Sequence, residues 1–192
     1  GLIVTTSGAS AACTNTSGKV YVCSSDETTT QTLSGGASLL DVTIVDPAAS
    51  FDTSGTAGDA FTLTGSAGIT FEDETAGATI TGADYGIYAY NNGTGALSIT
   101  TTGTTTGGDD GINALNFGDG ALSITTTGTT TGTNKDGINA QNGYSYNGSV
   151  YGTSLTINAA TTTGGTYGIY AINYGTAALE ITTTGTTTGS SS

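Results

Sequence analysis

Apolar and polar residues alternate with a period of two over short runs, and the runs themselves recur. Gly86-Ile87-Tyr88-Ala89-Tyr90-Asn91 returns as Gly111-Ile112-Asn113-Ala114-Leu115-Asn116, then as Gly137-Ile138-Asn139-Ala140-Gln141-Asn142, then as Gly168-Ile169-Tyr170-Ala171-Ile172-Asn173. A second run follows each: Leu97-Ser98-Ile99, Leu122-Ser123-Ile124, Leu155-Thr156-Ile157 and Leu179-Glu180-Ile181. Thr tracts punctuated by Gly close three of these units, as in Thr100-Thr101-Thr102-Gly103-Thr104-Thr105-Thr106-Gly107. The Ile positions are 25, 26 and 31 residues apart, so the unit is 25 residues and the last interval carries an insertion around Gly143 to Tyr151. A more degenerate unit precedes them in Ala60-Phe61-Thr62-Leu63, Ile69-Thr70-Phe71 and Ala78-Thr79-Ile80. Further back, Leu39-Leu40-Asp41-Val42-Thr43-Ile44-Val45 reads as another strand.

Within each unit Ile and Ala stay constant while the residues between them vary. Constant apolar positions alternating with variable ones mark a strand with one buried face. About three short strands per unit, with no helical period, predict one coil of an all-β, parallel β-helix. Stacked coils lie ~4.8 Å apart, so about seven of them would build a rod of ~30–35 Å. Asn91, Asn116, Asn142 and Asn173 end the first run of each unit. Asn tolerates the left-handed conformation of a sharp corner, and stacked Asn side chains can hydrogen-bond along the axis as an amide ladder.

Cys13 and Cys23 enclose a turn-rich Asn15-Thr16-Ser17-Gly18 and a strand-like Val20-Tyr21-Val22. The reading preferred is a hairpin closed by a disulfide, worth ~2–3 kcal/mol by loop entropy. Two unpaired thiols in a reducing cytosol are the alternative. Residues 1–32 are expected to form this N-terminal cap and 33–192 the repeats, within one structural domain.

Composition removes several function classes. The net charge is −13, with Lys19 and Lys135 the only bases. Phosphate neutralisation therefore fails, which argues against nucleic-acid partners and against anionic membranes. With no His, histidine-dependent nucleophilic catalysis and His-ligated zinc are excluded. No apolar run approaches ~18 residues, so no membrane insertion is expected. Gly1-Leu2-Ile3-Val4 is too short for a signal-peptide core, so an exported form would be the mature one.

The span from Cys13 to Cys23, the following Ser24-Ser25-Asp26-Glu27-Thr28-Thr29-Thr30-Gln31-Thr32-Leu33-Ser34-Gly35-Gly36, and the Gly-Ile-x-Ala-x-Asn and Leu-x-Ile-Thr-Thr-Thr-Gly units resemble the passenger domains of bacterial type V autotransporters. The likeness is to the Thr- and Gly-rich passengers of alphaproteobacteria and runs from about Ala11 to Gly189. It implies a right-handed parallel β-helix exported to the surface of a Gram-negative cell or shed from it. The translocator barrel such proteins carry has no counterpart in these residues, so a processed or truncated passenger, or a relative without a barrel, is expected.

Candidate chemistry is sparse. Asp84, Asp109, Asp110 and Asp136 precede the first run in successive units and could stack as acid and base for a carboxylate-only glycosidase. Asp before Gly at a corner is also ordinary turn chemistry. Glu72-Asp73-Glu74, with Asp59, offers oxygen ligands for calcium, but the nine-residue repeat of calcium-loaded β-rolls is missing. No metal, cofactor or catalytic residue is assigned. Tyr144, Tyr146 and Tyr151 crowd into the insertion, where solenoids often carry function. Together with Tyr88, Tyr90 and Tyr170 on the variable columns, they are the expected partner-binding residues. The function expected is a non-enzymatic extracellular structural or adhesive module. Its partner would be a host or neighbouring-cell surface protein or glycan. A self-stacking extracellular filament, made of copies of the chain, is the alternative.

Overall fold

The computed structural model describes residues 13–147 and 149–190. The Gly1–Val4 run lies outside them. Among the described residues every regular element is a strand, and the strands wind into a three-faced parallel solenoid. The first face holds Gln31–Gly36, Phe61–Gly65, Ile87–Asn91, Ile112–Asn116, Ile138–Asn142 and Ile169–Asn173. The second runs from Val20–Cys23 through Leu40–Ile44, Ile69–Asp73 and Leu97–Thr101 to Leu179–Thr183. The third includes Ser50–Asp52, Thr79–Gly82, Thr104–Gly107 and Thr187–Gly189. Leu122–Gly132 and Leu155–Gly164 each run through the second face into the third. The first face has six rungs where seven coils were expected, because Val20–Cys23 adds a rung to the second face alone.

Pairing is residue on residue. Ile87, Ile112, Ile138 and Ile169 align, as do Leu97, Leu122, Leu155 and Leu179. The degenerate unit joins the same columns, with Phe61 opposite Ile87 and Phe71 opposite Ile99. The insertion does not disturb them. It leaves the coil as an antiparallel hairpin of Tyr144–Tyr146 and Ser149–Tyr151, and Asn142 still meets Asn173. The shorter Thr tract that follows is absorbed as a register shift between Thr126 and Thr129.

Inward columns fill the lumen. Ile87, Ile99, Ile112, Ile124, Ile138 and Ile157 are buried, each contributing ~1.5–3 kcal/mol. Near the N-terminal end the rings of Phe51, Phe61 and Phe71 meet in the lumen, with centroids 4.7 and 5.0 Å apart. Downstream, Thr105, Thr130 and Thr162 take the place of Phe51 and Ile80 on the third face and are equally buried. Thr162 donates its hydroxyl to Thr187 at 3.1 Å. The hydroxyls of Thr101, Thr105, Thr126 and Thr130 have no partner among the described residues. Threonine thus serves as a β-branched filler, at the cost of placing hydroxyls among the apolar side chains of the core.

Two devices form the corners around the first face. The chain enters it through Gly82, Gly107, Gly132 and Gly164, where a side chain would run into the carbonyl of Tyr85, Asp110, Asp136 or Tyr167. It leaves through the four Asn. None of the four takes the left-handed backbone expected of them; among the described non-glycine residues only Ala57 and Asn147 do. They act through their side chains instead. Asn91 donates to Asn116 Oδ1 at 2.8 Å, Asn116 to Asn142 at 2.8 Å, and Asn142 to Asn173 at 2.9 Å. The second amide hydrogen of each reaches the carbonyl of Gly95, Gly120, Ser154 or Ala177.

At the N-terminal end Cys13–Ser17 and Val20–Cys23 pair as the expected hairpin, and Cys13 is disulfide-bonded to Cys23. Asn15 donates to the Gly18 carbonyl across the turn. At the other end, no coil among the described residues stacks on Leu179–Thr183, and the inward-column residues Leu179 and Ile181 are 44% and 45% exposed.

The ladder yields a stability prediction. Asn116→Ala removes its hydrogen bonds to Asn91, Asn142 and Gly120 and strands their buried atoms, and is expected to cost about 2–4 kcal/mol. Asn173→Ala, in the exposed last coil, should cost under ~1 kcal/mol. Chemical denaturation of both variants checks this, and equal losses would contradict it.

Candidate functional site

In-register stacking turns the variable positions of the first face into lines of side chains along the axis. One line runs Thr62, Tyr88, Asn113, Asn139, Tyr170, and its neighbour Thr64, Tyr90, Leu115, Gln141, Ile172. Residues at both corners extend the surface sideways.

On the side of the Asn ladder, aromatic rings form a chain. Tyr90 meets Phe117 edge-on at 5.7 Å, and Phe117 meets Tyr144 at 6.4 Å. Tyr144 stacks on Tyr151 at 4.4 Å with the rings nearly parallel, since the two are opposite partners in the hairpin. The insertion therefore lays its rings against those of the coil before it. An open cleft of 360 Å³ lies among Tyr90, Asn92, Phe117, Gln141 and Tyr144. Tyr146 pairs with Ser149 through the hairpin backbone, and its side chain lies outside the described residues.

The opposite corner carries a different set. Tyr85 stacks on Tyr88 at 5.7 Å, and three coils further on Tyr167 stacks on Tyr170 at 5.8 Å. Between these two stacks lie Asp110 with Asn113 and Asp136 with Asn139. Asp110 Oδ2 accepts from Asn113 at 2.9 Å, and its Oδ1 accepts the Asp136 N–H at 2.9 Å. Asp136 Oδ1 in turn accepts the Tyr167 N–H at 3.1 Å. Lys135 Nζ sits 2.7 Å from Asp109 Oδ2 and 6.0 Å from the Tyr85 ring centre. A cleft of 240 Å³ opens among Lys135, Asp136, Asn139, Thr166, Tyr167 and Tyr170.

No protein-family model, curated protein or solved structure matches this chain.

The carboxylates do not stack as one group. Asp110 and Asp136 share a column with Tyr85 and Tyr167, while Asp109 lies a residue earlier, in line with Asp84. Both oxygens of Asp110 are engaged by donors of the fold, which ties that carboxylate to structure. Glu72, Asp73 and Glu74 do not converge either. Asp73 turns inward and accepts from Thr75, Thr102 and the Gly103 N–H, while its two neighbours face out. Among the described residues no three metal-ligating side chains come together.

Phe117, Tyr85, Tyr167 and Lys135 are the surface residues that sequence reading passed over. Tyr85 and Tyr167 precede the repeating Ile by two residues, the same offset as Asp110 and Asp136. Carrying the repeat alignment two columns upstream would have found them.

Asp136 and Asp59 both titrate above the ordinary carboxylate range because burial disfavours their charged forms. Hydrogen bonds from the Tyr167 N–H to Asp136, and from Thr62 and the Tyr85 N–H to Asp59, only partly offset this. Each carboxyl thus holds its proton more tightly folded than unfolded, and its ionisation weakens the fold. That penalty is fully present above the folded value and vanishes below the unfolded one, so thermal stability is expected to rise as pH falls from about 7 to about 4. Asp136→Asn keeps an acceptor for the Tyr167 N–H and should flatten the slope. Unfolding followed by circular dichroism across that range checks it, and a Tm that falls on acidification would contradict it.

Proposed function

We propose that the chain is a non-enzymatic binding module displayed outside the cell, and that its tyrosine-bearing first face holds a surface protein or glycan of a host or neighbouring cell. The observation that carries this reading is the gathering of Tyr85, Tyr88, Tyr90, Phe117, Tyr144, Tyr151, Tyr167 and Tyr170 on one face and its two corners. Tyrosine joins a large apolar area to a polar tip at low entropy cost, which suits a binding surface. Tyr167 and Tyr170 are 53% and 41% exposed, and their stack carries the aromatic surface into the last coil.

The setting has separate support. The resemblance to type V autotransporter passengers implies the surface of a Gram-negative bacterium. A disulfide between Cys13 and Cys23 fits an oxidising compartment. The charge of −13 suits neither nucleic acid nor anionic membrane. Without His or Arg, and with Asp110 tied into the fold, the carboxylates are poorly placed for acid–base turnover.

A second reading, a subunit of a self-stacking filament, draws on one observation. The last coil exposes Leu179 and Ile181, and a further coil laid on it would cover both. Electron micrographs of the purified chain separate the two: monomeric rods favour the module, fibres the filament.

Replacing Tyr144 and Tyr151 with Ser is expected to reduce adhesion to host cells at least tenfold while leaving the circular dichroism spectrum unchanged, since both rings lie on a hairpin outside the coil. Wild-type adhesion by this variant would remove the hairpin from the binding surface.

A further inference from the structure

The corner of the first face that carries Asp110 and Asp136 is built unlike the hairpin side. Its stacked pairs, Tyr85 with Tyr88 and Tyr167 with Tyr170, are separated by two successive Asp–Asn pairs. With coils ~4.8 Å apart, the outer pairs stand ~14 Å apart along the axis. A pyranose ring is about as long as one such step. Sugars offer a C–H face to aromatic rings and paired hydroxyls to carboxylates and amides, and this strip presents those partners in that order.

One atom points to a ligand independently. Asn113 is 8% exposed, lies on the outward column, and donates its amide to Asp110. Its Oδ1 has no partner among the described residues. The nearest amide in the column, Asn139, is directed at 3.5 Å toward Asp110 instead. Unlike the unpartnered Thr hydroxyls of the lumen, Asn113 lies on the outward column between Tyr88 and Asn139, but its Oδ1 is itself buried, so a hydroxyl from outside reaches it only when a neighbouring side chain moves aside.

Charge narrows the class. Asp109, Asp110 and Asp136 against the single Lys135 disfavour uronic or sialic acids. A cationic peptide fits less well, because Lys135 already occupies Asp109 and both oxygens of Asp110 are engaged by donors of the fold. We propose that this strip is a groove for a linear, uncharged oligosaccharide lying along the solenoid axis. Tyr85/Tyr88 and Tyr167/Tyr170 are its stacking platforms, and Asn113, Asp136 and Asn139 are its hydroxyl partners. The 240 Å³ cleft beside Tyr167 and Tyr170 forms one end of that groove. This rests on the binding-module reading and names a ligand class for it.

The test is a titration of isotope-labelled protein, followed by amide NMR shifts, with cellotetraose, chitotetraose, maltotetraose and mannotetraose in turn. Tetragalacturonate and tetralysine serve as charged comparisons. At least one neutral tetrasaccharide is expected to shift signals along the Tyr85-to-Tyr170 strip. A Tyr167→Ser/Tyr170→Ser variant and an Asn139→Ala variant should each bind it about tenfold more weakly, with signals elsewhere unmoved. The Tyr144→Ser/Tyr151→Ser variant should bind it as wild type does. The groove is overturned if none of the four neutral sugars binds, if either charged probe binds as tightly, or if the hairpin variant alone loses binding. A wild-type chain that adheres to cells yet binds no sugar removes the groove and leaves the module. One that does neither removes both.

Discussion

The side-chain amide ladder through Asn91, Asn116, Asn142 and Asn173 is the constraint on which the arrangement of the first face depends. A carboxamide has one acceptor and two donor hydrogens. Here one hydrogen goes to the next coil and the other to a carbonyl a few residues along the same coil. Each Asn therefore closes its own corner and also fixes the neighbour's height. Slipping one coil by a residue would break these bonds and turn the inward Ile and Ala outward, so the register has a single low-energy setting.

That register has consequences at both surfaces of the sheet. Inward, Ile stacks on Ile and Leu on Leu, so each coil is packed mainly by its neighbours and the lumen stays continuous despite its thinness. Outward, the same pairing places Tyr88, Asn113, Asn139 and Tyr170 one above another, and turns four unrelated-looking residues into a strip. The hairpin of Tyr144 to Tyr151 can vary freely because it leaves the coil after Asn142 and returns before Leu155.

Much of this was legible in the sequence because a solenoid makes sequence spacing and spatial stacking the same thing. The repeat of Ile87, Ile112, Ile138 and Ile169 predicts the inner column without knowledge of the fold. The third face was harder to read. Thr105 and Thr130 look like outward polar residues, yet they fill the lumen, since a β-branched side chain fits there whether or not its hydroxyl is satisfied. The corners were harder still. Asn at a turn suggests a backbone role, and only the stacking reveals that its side chain carries the interaction. Of the candidate binding residues, Tyr88, Tyr90 and Tyr170 follow from the repeat. Their partners Tyr85, Phe117 and Tyr167 lie just outside the repeating words, where residue identity changes from coil to coil.

Side-chain amide hydrogen exchange, read by NMR, tests the ladder most directly. The amide hydrogens of Asn91, Asn116 and Asn142 are predicted to exchange only on global unfolding, as fast as the slowest backbone amides of the inner strands. Those of Asn92, one residue beyond the ladder, should exchange freely. Ladder amides that exchange as fast as Asn92 would show that the corner is open in solution and that the register is held by the lumen alone.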